Sequence, residues 1–121
     1  MEMTTPTEEL HQQLNSWKEE VNEVRTEVKM MRERLEQIVL SNASRDVMTQ
    51  VEHFENRLLR QREVADEMHH DIKQCAKKVA NTVTVIHDDR PVDDFDTIQH
   101  RMEIFQKLYV GLKADFNKFM H

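Results

Sequence analysis

Glycine, proline and cysteine are nearly missing from this chain: one Gly, two Pro and one Cys in 121 residues. So little glycine excludes tight-turn β-sandwiches and barrels, and it excludes glycine-loop nucleotide folds, because each needs Gly where φ is positive or where backbone approaches a phosphate. A single Cys excludes a disulfide framework and a Cys-rich zinc site. Aromatic residues make up only 6%. No apolar run reaches the ~18 residues of a membrane-spanning helix. The start, Met1-Glu2-Met3-Thr4-Thr5-Pro6, has neither the basic flank nor the apolar stretch of a secretory signal. The expectation is a soluble, cytoplasmic, all-α protein.

What is present is charge and periodicity. Charged residues make up 33%, with 17 Lys+Arg against 23 Asp+Glu and a formal net charge of −6. No segment is strongly basic, so neither nucleic acid nor an anionic membrane is an expected partner. The net charge favours solubility.

Thr5-Pro6-Thr7-Glu8 reads as a helix start, with a capping hydroxyl and proline in the first turn. Leu10, Leu14, Trp17, Val21, Val24, Val28, Met31, Leu35 and Ile38 then recur at alternating spacings of four and three, a heptad seam. Ser41-Asn42-Ala43-Ser44 breaks it with cap-forming and turn-forming residues. A second seam runs through Val47, Val51, Phe54, Leu58, Gln61, Ala65, Met68, Ile72, Cys75 and Val79. The β-branched run Thr82 to Ile86 weakens the helix, which is predicted to end between residues 80 and 87, and Asp88-Asp89-Arg90-Pro91 is a clear break. A third helix starts near Asp93 as its cap, with the seam Phe95, Ile98, Met102, Phe105, Tyr109, Leu112, Phe116 and Phe119.

The prediction is one domain over residues 1–121: an antiparallel up-down-up three-helix bundle with helices at about 6–40, 45–86 and 93–120. At ~1.5 Å per residue, helices one and two span about 50–60 Å and helix three about 40 Å. Packed from the loop at 88–92 and folded back on helix two, helix three is expected to stop roughly opposite Gln61, so that the hairpin of helices one and two projects. Its tip would then carry Val28, Met31, Leu35, Ile38, Val47, Val51, Phe54 and Leu58 with only a two-helix contact to cover them. A patch of that kind marks an interaction surface, so a homodimer through the tip is expected. On that reading, Asp at Leu35 and Leu58 would give a soluble monomer.

Other residue types invite chemistry. Seven His suggest a metal, and Glu-x-x-His occurs at Glu8–His11 and Glu67–His70. Core-facing ligands build di-metal bundle centres, and no Glu or His occupies a seam position here. Glu63, Glu67 and His70 share one face of helix two, in a stripe with His53, Asn56 and Arg60, and could hold a divalent ion weakly. Side-chain pairing on a solvated face explains the same stripe, unless a second copy faces it and completes a composite site. His69 flanks the seam and reads as half-buried at an interface. Cys75, on the seam, reads as a small hydrophobe rather than a nucleophile. Gln61 is the one polar seam residue of helix two and either fixes register or meets water. Eight Met, with Met30, Met31 and Met48 near the tip, suit adaptable packing. Gly111 sits off the third seam, as a surface residue or a point of close approach.

The block Val51-Glu52-His53-Phe54-Glu55-Asn56, Arg60-Gln61-Arg62-Glu63 and Asp66-Glu67-Met68-His69-His70-Asp71-Ile72 resembles a family of small all-helical bacterial proteins with no assigned activity. That resemblance implies the fold and transfers no functional residue. The pattern with Trp17 on helix one is also similar to a spectrin repeat in architecture, without the second Trp that such repeats typically carry on helix three.

With no Gly-rich phosphate loop, nucleophile elbow or His-Glu-x-x-His motif, the expected function is a non-enzymatic interaction or assembly module without cofactor. It would self-associate through the tip or bind a helical partner. A metal-binding or small-ligand-binding protein using the His/Glu stripe is the alternative.

Overall fold

A computed structural model of the chain describes residues 6–80 and 92–121. Three helices carry the fold: α1 (Pro6–Leu40), α2 (Arg45–Val79) and α3 (Phe95–Met120). There is no strand among the described residues. α1 packs most closely with α2. The helices run up, down and up. Arg25 on α1 pairs with Asp66 on α2, and α1 residues Glu20 and Glu27 meet α3 residues Gln106 and Tyr109 in the same chain order.

Local chemistry sets the ends. α1 begins at Pro6; the expected Thr5 cap lies outside the described residues. Asn42 closes the α1–α2 turn at φ 65°, a left-handed conformation that a short amide side chain tolerates. Ser44 then caps α2, its hydroxyl accepting from the Val47 N–H at 3.3 Å. α2 is capped at Ala80, the near edge of the expected range. The Thr82–Ile86 run and the Asp88–Pro91 break lie outside the described residues. Asp94, rather than Asp93, caps α3 and accepts from the Thr97 N–H at 2.9 Å. That hydrogen bond holds the Asp94 carboxyl below its usual range. Asp93 is used instead as an acceptor for Arg101 at 2.6 Å.

All three seams face inward. The core is continuous from Leu14 and Trp17 on α1, through Cys75 to Val51 on α2 and Ile98 to Phe116 on α3. Trp17 stacks on Phe95 with ring centroids 5.2 Å apart, which closes one end of the bundle.

The register of α3 corrects the sequence reading. Arg101 pairs with Asp71, and Asp115 with Arg57. Phe116 packs edge-on against Phe54 at 5.7 Å, and Phe119 lies 5.1 Å from the same ring. The last turn of α3 therefore sits beside Phe54, about two turns beyond Gln61. The cause is the position of the two helix ends: α2 stops at Val79, and α3 begins at Phe95, level with Trp17. Of the expected tip residues, Val28, Met31, Leu35, Val51, Phe54 and Leu58 are buried within the single chain. Only Ile38 and Val47 remain partly exposed. The hairpin still projects, but by its end alone, where Val39 and Leu40 are exposed.

A buried phenol ties α3 to α1. The Tyr109 hydroxyl donates to Glu27 Oε1, and Lys113 Nζ donates to the same oxygen at 3.1 Å. The Tyr109 hydrogen bond, helped by Lys113 and opposed by burial, holds the Glu27 carboxyl below its usual range. Burial first, then the Glu27 carboxylate, push the phenol well above its usual range. The Glu27 contribution to stability is present above about pH 4.3, the unfolded carboxyl value, and is lost as pH falls through the lowered folded value. The Tyr109 contribution is complete below about pH 10, the unfolded phenol value, and is lost as pH rises towards the raised folded value. This is the only tyrosine, so tyrosinate absorbance reads it directly. Ionisation is expected only well above pH 10 and together with unfolding, and Tyr109→Phe should flatten the alkaline loss. A folded protein whose tyrosine titrates near 10 would contradict the hydrogen bond.

A groove between the second and third helices

Each helix of a three-helix bundle turns one seam inward and leaves its flanks to solvent. On α3 the flank facing α2 is apolar at Ile104 and Leu108, which are 48% and 62% exposed. Gly111 and Asp115 continue the spacing of four and three along the same face. On α2 the facing flank offers Arg60, Val64 and Glu67. Between the two runs a groove of two adjoining depressions, about 290 and 350 Å³, which share Arg60, Gln61 and Leu108. Val64, Met68, Phe105, Ile104, Leu108 and Leu112 make its walls apolar. A larger depression between α1 and α2, about 540 Å³, is lined chiefly by charge: Arg25, Lys29, Arg32 and Arg62 against Glu33 and Glu36.

Gln61 lies in the groove. It is 8% exposed, and no buried side-chain polar atom among the described residues lacks a hydrogen-bond partner. α3 passes over the level of Gln61 rather than ending at it, so Gln61 is part of the groove lining. Two ion pairs between α2 and α3 bracket the groove: Arg101 with Asp71 at 2.8 Å, and Arg57 with Asp115 at 3.1 Å. Arg101 also reaches Asp93, which fixes the start of α3 over the end of α2.

The polar stripe read from the sequence forms one lip of this groove. His53, Asn56, Arg60 and Glu67 line it. Glu63 instead pairs with Arg60 at 3.4 Å, and the His70 ring contacts Asp71 at 3.1 Å. The candidate trio Glu63, Glu67 and His70 is not drawn together, and no group of three or more His, Cys, Asp or Glu able to hold a metal occurs among the described residues. His69 is half-buried, and its pKa is lowered by burial and then by Arg25, Lys73 and Lys18. Cys75 is fully buried, and burial pushes its thiol up, which opposes thiolate formation. Met31 belongs to the core, whereas Met30 is 58% exposed on the far side of the helix.

Sequence reasoning missed Ile104 and Leu108. The available signal was an apolar pair four apart, one step off the seam, with the only glycine of the chain three residues further on. No described helix is long and apolar enough to cross a membrane. Comparison with family models, with curated proteins and with solved structures finds no match.

Proposed function

We propose that the protein is a non-enzymatic interaction module whose working surface is the α2–α3 groove, into which an amphipathic helix docks as a fourth helix of the bundle. The carrying observation is the exposure of Ile104 and Leu108 beside Val64, on a molecule whose three primary seams are closed. Covering the exposed halves of two aliphatic side chains is worth about 2–3 kcal/mol. That is modest, so the charged lips must supply orientation and specificity. Self-association through the eight tip residues is not carried forward, because most of them are already buried.

Helix-in-groove recognition reads anchors at i, i+3, i+4 and i+7. A designed helical peptide with leucines at those positions is the probe. Gly111, the single glycine, gives an isolated amide resonance at the groove. On titration of labelled protein, the amides of Gly111, Leu108 and Val64 should shift, that of Met30 should not, and Leu108→Asp should abolish the response. Shifts centred on another face, or none, would refute the groove as the working surface.

A further inference from the structure

We propose, resting on the reading of this groove as the working surface, that what covers it is a second copy of this chain, laid helix on helix rather than with one helix in the groove, and packed antiparallel about a two-fold axis that crosses the groove at Leu108 and Val64.

The charge pattern of the groove carries this. Arg101 and Asp115 lie seven residues on either side of Leu108, and Asp71 and Arg57 lie seven on either side of Val64. The two interhelical pairs have opposite polarity. At one end the cation is on α3 and the anion on α2; at the other end the anion is on α3 and the cation on α2. Rotation by a half turn about an axis across both helices reverses their direction, laying α2 on α2 and α3 on α3. Arg101 then faces the partner's Asp115, and Asp71 faces the partner's Arg57. Arg60 comes opposite the partner's Glu67 by the same operation. A half turn about an axis along the helices would instead lay α2 on the partner's α3, with Arg101 over the partner's Asp71 and Asp115 over the partner's Arg57; only the antiparallel arrangement brings Arg60 opposite the partner's Glu67.

The apolar strip obeys the same symmetry. Leu108 stands at the middle of α3, which spans Phe95–Met120, so the reversed helices overlap along their whole length. Leu108 meets the partner's Leu108 on the axis. Ile104 comes over the partner's Gly111, where an added Cβ would find nothing within 4 Å. The side chain that protrudes is thus matched by the only position on the strip that lacks one. Two helices side by side over this length present a face of about 40 by 18 Å, about 700 Å² per copy, close to the ~800 Å² per partner of a standard stable interface. The surface is self-complementary, as a two-fold interface requires.

The test is mass in solution by light scattering across a dilution series of the full chain. The mass should approach twice 14.5 kDa at high concentration and return to the single-chain value on dilution. Leu108→Asp, at an exposed position, should stay monomeric with an unchanged helical spectrum, and Gly111→Leu should weaken dimerisation by filling the space under Ile104. Arg60→Glu and Glu67→Arg should each weaken it about tenfold, and the double variant should restore it, because only the antiparallel register sets these two residues opposite each other. A single-chain mass at every concentration, a dimer indifferent to Leu108→Asp, or a double variant weaker than both singles would overturn the proposal. If the monomer's Gly111 amide still moves with the leucine peptide, self-pairing alone falls; if that amide is also indifferent, the groove reading falls with it.

Discussion

Leu58→Asp is expected to unfold the protein rather than to release a monomer. Leu58 has no exposed surface and sits in the core cluster between Phe54 and Gln61 on α2. The substitution removes about 2–3 kcal/mol of apolar burial. It also places a carboxylate where there is no partner, and an unpaired buried charge costs several kcal/mol even after protonation or relaxation. The total is about 5 kcal/mol or more, comparable with the whole stability of a domain this size, about 5–15 kcal/mol. Leu35→Asp should behave alike, because Leu35 is equally buried. Circular dichroism and a urea titration read the result. A folded, helical Leu58→Asp variant with unchanged melting would mean that α3 stops near Gln61 and that the hairpin is open there, as the sequence alone suggests. Leu108→Asp is the control: the same charge, placed on the groove, should leave the fold intact.

Phe116→Ala is expected to cost about 4 kcal/mol, from lost transfer energy, the cavity left behind and the lost ring contact. Phe116 is fully buried, lies edge-on against Phe54 at 5.7 Å, and has the Arg34 guanidinium 6.0 Å from its ring centre. It is the ring through which the last turns of α3 reach both α1 and α2. The urea midpoint should fall sharply with little change in slope, because the surface exposed on unfolding barely changes. A cost below about 1 kcal/mol would show that the end of α3 does not pack, since surface substitutions fall in that range. Together the two variants test one structural fact from opposite helices.

The sequence reading and the structure part company at one quantity, the axial register of α3. The residues that line the core were legible in order and spacing, from Leu14 to Leu35, Val51 to Cys75 and Ile98 to Phe116. Ser44 was legible as a cap for the same reason, since an N-cap acts on backbone only three residues away. Asp93 was misread by one residue, because Asp93 and Asp94 are both competent caps and Arg101 takes one of them. The groove was not legible, because whether an off-seam Ile104 or Leu108 is covered depends on which residue of α2 stands opposite.

The sequence by itself determined three helices, their inward faces and their shared antiparallel packing, because heptad periodicity and capping are local properties of the chain. Only the tertiary structure decided how far α3 slides along α2. A heptad seam is nearly blind to that choice: moving one helix by a repeat sets apolar side chains against apolar side chains again. What breaks the degeneracy is a few non-repeating pairs, Trp17 on Phe95, Arg101 on Asp71, Arg57 on Asp115 and Phe116 on Phe54. Those pairs close the hairpin and leave the α2–α3 groove open.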